Sequence, residues 1–255
     1  MTKFSMSILA MNSGSTSIKY KLFDDREKEI KQGNITKIKD HAVAIKQVLR
    51  EIGDLRDLTA VGHRVVHGGP RFFTPLLIND VNLAELEQFN NLAPLHNPYN
   101  LAGIKAAKGY LPQAKQVAVF DTAFYRPLPE TAKLYALPPE ISKKYDIRRY
   151  GFHGISHKFV AGEAAKSLKK KLDKINLISC HLGGGWSVTA VKGGSPIDTS
   201  MGLTPLEGLV MMTRAGDMDP GIIFKLLKTM PGAVDEAKVD ELYYLLSKQS
   251  GLKGL

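Results

Sequence analysis

Two segments far apart in the chain share one pattern, and that pattern limits the fold more than any other feature. Residues 7–10 form a short, mostly apolar run entering a turn of small hydroxylic residues around Gly14, within M-N-S-G-S-T-S-I-K-Y (11–20). The chain leaves in strict alternation, Ile18, Tyr20 and Leu22 on one face and Lys19 and Lys21 on the other. Period-two alternation about a glycine-bearing turn predicts a β-hairpin. Its tip offers N–H groups, hydroxyls, an amide and a nearby lysine, a concavity able to hold a phosphoryl group. Most such turns are only structural, so the tip gains meaning from its recurrence.

The second copy begins near Asn176. Residues 177–180 are mostly apolar, 181–186 read H-L-G-G-G-W, and 187–191 alternate again before a turn at 192–195 and Pro196-Ile197-Asp198-Thr199. Two glycine-tipped hairpins predict a duplicated α/β architecture. Two such hairpins facing each other would suit a nucleotide held between domains.

At 255 residues and 44% hydrophobic content the chain can bury a sizeable core and is expected to form two domains, residues 1–150 and 151–255. The proline-bearing stretch 127–139 reads as loop near their boundary. The single cysteine, Cys180, rules out a disulfide framework and reads as a small buried hydrophobe in a strand, which fits a reducing cytoplasm. Neither a signal peptide nor a membrane-spanning run is expected, so the chain reads as soluble. The net charge of +10 invites a nucleic-acid reading. The lysines are scattered, however, and the densest run, K-S-L-K-K-K-L-D-K (166–174), reads as a solvated helix face or end. Without an aromatic RNA-binding motif, zinc-finger spacing or basic zipper, no nucleic-acid partner is expected. Attraction of small anionic substrates is the better use of the charge.

Helices are expected at 41–52, at 81–90 with Asp80 as N-cap, from Asn97 (N-cap) and Pro98 to Gly109, at 157–168 with Ser156 as cap, at 219–228 and at 234–248. Further strands are expected at 29–35, 60–66 and 117–120.

Arg64 lies inside an apolar strand just before a glycine turn, in G-H-R-V-V-H-G-G (62–69). Burying a guanidinium is costly unless an anion meets it, so a structural ion pair and an anion site are both open. M-T-R-A-G-D (212–217) supplies a second arginine, Arg214, in a glycine-marked loop. Two arginines and a carboxylate suit phosphoryl transfer, and Asp121, at the end of a buried strand, is the best carboxylate for the task. His153 and His157 lie four apart in Y-G-F-H-G-I-S-H (150–157). Zinc is disfavoured, since no intervening glutamate or third ligand is evident. Hydrogen-bond donation to a transferring oxygen, or structural packing, remains for His153, and the same two readings apply to His96. Neither a P-loop nor a G-x-G-x-x-G fingerprint is present.

Taken together the segments resemble the acetokinase family, the acetate kinases. The matching blocks are N-S-G-S-T-S-I-K (12–19), G-H-R-V-V-H-G-G (62–69), L-A-P-L-H-N-P (92–98) and F-D-T-A-F (120–124). R-Y-G-F-H-G-I-S-H (149–157), D-T-S-M-G-L-T-P-L-E-G (198–208) and T-R-A-G-D-M-D-P (213–220) complete them. The resemblance implies duplicated actin/hexokinase-like (ribonuclease H-like) α/β domains. It also implies reversible transfer of the ATP γ-phosphoryl group to acetate, with Mg²⁺ or Mn²⁺, by a cytoplasmic homodimer. By the same likeness Arg64 and Arg214 would bind the carboxylate and stabilise the transition state, and His153 would contact the moving phosphoryl group. Asp121 would serve the metal, with Asn12, or orient acetate. Asn12, Ser15, Ser17 and Lys19 match the first phosphate-facing loop, and His181, Gly183, Gly184 and Gly185 the second. Val66, Leu95, Phe152 and Pro205 match the apolar pocket for the acetate methyl.

Two departures stand out. Gly184 replaces an asparagine usual in the second loop, which loses a side-chain amide and loosens the turn. Family members also run considerably further, so the resemblance implies an incomplete second domain here, lacking adenosine-binding segments, a metal-binding glutamate and the final helix. The alternatives to an active acetate kinase are a remnant that binds anions without turnover, and a propionate kinase. One methylene in an apolar pocket discriminates by only about 1–3 kcal/mol.

Overall fold

A computed structural model describes residues 6–255. The chain divides into two compact units between Ala123 and Phe124. The first contains β1 (Ser7–Ser13), β2 (Ser17–Asp24), β3 (Glu29–Thr36), α1 (His41–Ile52), β4 (Leu58–Val65), β5 (Leu76–Leu77), α2 (Asp80–Glu87), α3 (Asn97–Tyr110) and β6 (Lys115–Phe120). Its strands form one sheet in the order β3-β2-β1-β4-β6-β5. β1, β2 and β3 pair antiparallel as a meander, while β1, β4 and β6 run parallel.

The alternation read from the sequence sets this arrangement. Leu9, Met11, Ile18, Tyr20 and Leu22 are buried and pack with Ile45 and Val48 of α1. Parallel neighbours need crossovers, and the segments carrying α1 and α3 provide them. Leu101 and Ile104 of α3 pack with Val65 and Phe120 in a second cluster. Because β1, β4 and β6 are parallel, their carboxyl ends share one edge of the sheet, where open α/β sheets place ligands.

The second unit begins with two short helices, α4 (Glu130–Lys133) and α5 (Pro139–Lys144), in and after the stretch expected to be loop. Then follow α6 (Gly154–Ser167), β7 (Asn176–Leu182), β8 (Trp186–Lys192), β9 (Ser195–Thr199), α7 (Gly221–Thr229) and α8 (Glu236–Tyr244). β7, β8 and β9 form a second antiparallel meander, the counterpart of β1–β3. Residues 245–249 widen into a π-helical turn after α8.

Several local expectations are corrected. Asn79, not Asp80, caps α2, in a reciprocal box with Asn82. His96, not Asn97, occupies the cap position of α3, because the Asn97 amide is engaged elsewhere. Ser156 lies within the first turn of α6, whose cap position is His153 in a left-handed conformation (φ 58°). Cys180 is exposed, not buried. Strand alternation turns it to the face opposite Ser179, and Ile178 and Leu182 beside it are also more than 60% exposed. No helix among the described residues is long and apolar enough to cross a membrane.

Candidate active site

In the first unit, the shared strand edge gathers Asn12 from β1, Arg64 from β4 and Asp121 just beyond β6. The Arg64 Nη2 donates to Asp121 Oδ2 at 2.6 Å, and its Nε lies 3.1 Å and 3.3 Å from the two carboxylate oxygens. Its Nη1 donates to Asn12 Oδ1 at 3.3 Å. The Asp121 side chain is 2% exposed and that of Arg64 33%. The carboxylate thus answers the cost of burying the guanidinium, and holds it charged beyond its already high range. The structural ion pair is therefore present, and about a third of the Arg64 side chain stays open beside it.

Two asparagines of α3 fix this edge. Asn97 accepts from His67 N at 3.0 Å and donates to His67 O at 2.9 Å. Asn100 accepts from Val66 N at 3.0 Å and donates to Ser13 O at 2.6 Å. A single helix therefore ties the end of β1 to the end of β4. Gly103, one turn on, lets α3 approach so closely that a Cβ there would overlap Ser13. Asn100 was missed from sequence; its i,i+3 spacing from Asn97 on an otherwise apolar helix face was the available signal.

The β1–β2 tip closes with Gly14 N donating to Ser17 O at 2.8 Å, and His41 Nε2 lies 3.0 Å from Gly14 O. Asn12 sits directly opposite Lys19 in the ladder. Ser15 and Lys19 are exposed and Ser17 is half-buried, so the tip carries accessible donors. Val66 is buried and Leu95 half-buried.

In the second unit, the start of α6, the β7–β8 hairpin and the loop between β9 and α7 bring together His153, His181, Gly185, Pro205 and Arg214. The His153 and His181 rings stack with centroids 4.1 Å apart. Arg214 Nη1 donates to Pro205 O at 2.9 Å. A Cβ on Gly185 would sit 3.1 Å from Arg214 Nη1 and 3.4 Å from His153 Cε1, so the bare backbone lets the arginine and histidine come close. Gly183 and Gly184 are exposed at the tip, which Gly183 N to Gly185 O (3.2 Å) and Trp186 Nε1 to Gly183 O (2.6 Å) close. Phe152 is buried, and its carbonyl accepts from Tyr125 Oη at 2.8 Å, which anchors the residue before His153.

His157 is fully buried. Its ring lies between Ser179 Oγ, 2.9 Å from Nδ1, and Ser187 Oγ, 2.7 Å from Nε2. Burial, with the neighbouring His181 adding to it, pushes its pKa down to about 4, so it is neutral at physiological pH. Among the described residues no group of three or more His, Cys, Asp or Glu side chains is placed to hold a metal ion.

The acetokinase family profile matches residues 25–255, nearly the whole chain. The chain belongs to the acetokinase family. Relatives include the acetate kinase of Bacillus velezensis, 44% identical over 277 residues, with 97% of this chain and 69% of that protein covered. The acetate kinase of Thermotoga maritima is 46% identical over 281 residues, covering 98% of this chain and 68% of its own. Among solved structures, Porphyromonas gingivalis acetate kinase superposes with a TM-score of 0.86 at 36% identity, covering 98% of this chain and 69% of that one. A propionate kinase from Francisella tularensis gives 0.89 at 39% identity, covering 98% and 70%. The family is one of phosphotransferases on the actin/hexokinase-like α/β fold. These 255 residues span about two thirds of its solved members, so the second domain is incomplete within them.

Proposed function

We propose that this acetokinase-family chain transfers the γ-phosphoryl group of ATP to acetate, reversibly, giving acetyl phosphate and ADP. The observation that carries the reading is Arg64, held on two sides by buried Asp121 where three parallel strands end, with a third of its side chain open. An acetate oxygen attacks the γ-phosphorus, the bond to the ADP oxygen breaks, and no proton need be removed from the nucleophile. Catalysis then reduces to positioning and charge neutralisation. Arg64 and Arg214 neutralise carboxylate and phosphoryl charge, and His153 donates to a phosphoryl oxygen. The donors at 14–17 in the first unit and at 183–185 in the second would each hold phosphate. The family likeness assigns Val66 and Leu95 of the first unit, and Phe152 and Pro205 of the second, to apolar contact with the methyl group.

Asn12 Oδ1 and the Asp121 carboxylate are hard oxygen donors side by side on Arg64, a set that fits Mg²⁺, which takes its other ligands from water and phosphates. When bound there the ion would neutralise phosphate charge. Residues 1–150 and 151–255 would act as the acyl and nucleotide sides, in a cytoplasmic homodimer.

The test is Mg·ATP-dependent acetyl phosphate formation by the purified chain, trapped as the hydroxamate. Arg64→Ala should lower turnover about 10³-fold, the scale of an arginine on a transferring phosphoryl group. A folded chain with no turnover would mark it as an anion-binding remnant. The Francisella likeness makes propionate the acceptor to run beside acetate. A higher kcat/KM for propionate would reassign the substrate.

A further inference from the structure

We propose that Ser179, His157 and Ser187 form a directional hydrogen-bond relay that holds His153 in its Nε2–H form. The proposal deepens the function above, since it explains how His153 offers a donor to an anionic oxygen.

The relay is continuous. Ser179 Oγ meets His157 Nδ1 at 2.9 Å, His157 Nε2 meets Ser187 Oγ at 2.7 Å, and Ser187 Oγ meets His153 Nδ1 at 2.9 Å. Secondary structure builds it. His153 and His157 lie four apart at the start of α6, while the β7–β8 register places Ser187 opposite His181, with Ser179 two residues back on β7. Ser187 and His157 are fully buried and Ser179 is 3% exposed, so water does not take over any link.

Direction follows from proton counting. A neutral imidazole has one N–H and one acceptor nitrogen, and a serine has one O–H. Ser187 must therefore donate to one histidine and accept from the other, which couples their tautomers. The far end sets the sense. Among the described residues the Ser179 hydroxyl has one side-chain partner, His157 Nδ1. A buried O–H left without an acceptor is costly, so Ser179 donates. His157 then carries its proton on Nε2 and gives it to Ser187. Ser187 donates to His153 Nδ1, which leaves the His153 proton on Nε2. The neutrality of buried His157 keeps the count valid, and stacking on His181 fixes the plane of the His153 ring. His157 and Ser187 are thus positioning residues that act through His153.

The test is ¹⁵N-detected NMR of histidine tautomers in the substrate-free 255-residue chain at pH 8, with His153 assigned by difference from a His153→Gln variant. Both His153 and His157 should show Nε2–H with an unprotonated, hydrogen-bonded Nδ1. In Ser187→Ala the His153 Nδ1 resonance should move toward that of a free imine nitrogen. The His157 Nδ1 resonance, still bonded to Ser179, should stay. Nδ1–H on either ring, or a His153 resonance unmoved by Ser187→Ala, overturns the relay. If Ser187→Ala does not fold, the wild-type tautomers decide alone. In turnover assays the same variant should lose about 10-fold in kcat with the acetate KM little changed, the scale seen when a partner that orients another residue is removed. The predicted tautomers without wild-type turnover would overturn the kinase reading and leave the relay standing. Turnover with the opposite tautomers would do the reverse.

Discussion

Asn100→Ala should be among the most damaging single changes in the first unit. The side chain is 3% exposed and serves two backbone groups, Val66 N–H at 3.0 Å and Ser13 C=O at 2.6 Å. Truncation leaves both buried and unanswered, and each orphaned group costs about 1–3 kcal/mol. With the small cavity added, the loss should be about 3–5 kcal/mol, a large share of the stability of an ordinary domain. The isosteric Asn100→Asp separates this account from simple packing. It keeps the acceptor for Val66 N but sets a carboxylate oxygen against the Ser13 carbonyl where an N–H had donated. It should therefore be at least as destabilising as alanine, although its volume is unchanged. Urea unfolding followed by far-UV circular dichroism gives both values, and hydrogen exchange at the Val66 amide reports the local opening. An Asn100→Asp variant within about 0.5 kcal/mol of wild type, with Val66 still protected, would refute the claim that this amide ties β1 to β4.

Further outcomes are expected. Gly185→Ala should leave stability within about 0.5 kcal/mol, because its Cβ meets the movable end of Arg214, yet reduce turnover by displacing that end from His153; a kinetic assay beside a melting curve checks the split. Gly184→Asn should be tolerated, since nothing lies within 4 Å of a Cβ there, and should tighten nucleotide binding through the added amide, read by calorimetric titration with ADP. Stability should fall on acidification between about pH 6.5 and pH 4. Burial lowers the pKa of His63 and of His157 to about 4, so the unfolded chain takes up protons first and each group contributes up to about 1.4 kcal/mol per pH unit. Urea midpoints across that range check it, and a flat profile would contradict the burial of these rings.

Apolar runs and period-two alternation about the glycine tips were enough to place β1, β2, β7 and β8. On β2 they also assigned the buried face of Ile18, Tyr20 and Leu22, because a strand side chain has only two directions to choose from. On β8 the buried face is that of Ser187, Thr189 and Val191, which apolar patterning does not mark. Both glycine tips, and the places in the fold of Arg64 near the end of β4, Asp121 just after β6 and His153 just before α6, were legible for a related reason: each lies at or near the end of a strongly patterned element. Caps were less legible. Asn97 carries the signature of a helix cap, but its amide reaches a backbone thirty residues away, and that competing partner is invisible in a local window. Cys180 reads as core by composition, yet exposure depends on whether anything lies over that face of β7.

By itself, then, the sequence determined the duplicated hairpin–helix plan, the residue types able to handle anions, and the family. Those properties rest on local periodicity and on ordered motifs. Only the tertiary structure decided which groups satisfy one another: Asp121 on Arg64, Asn100 across two strand ends, and the serine–histidine chain behind His153. These are pairings between residues 22 to 87 positions apart, and their energy comes from shared burial, where each polar group must find its partner or lose its solvation without return.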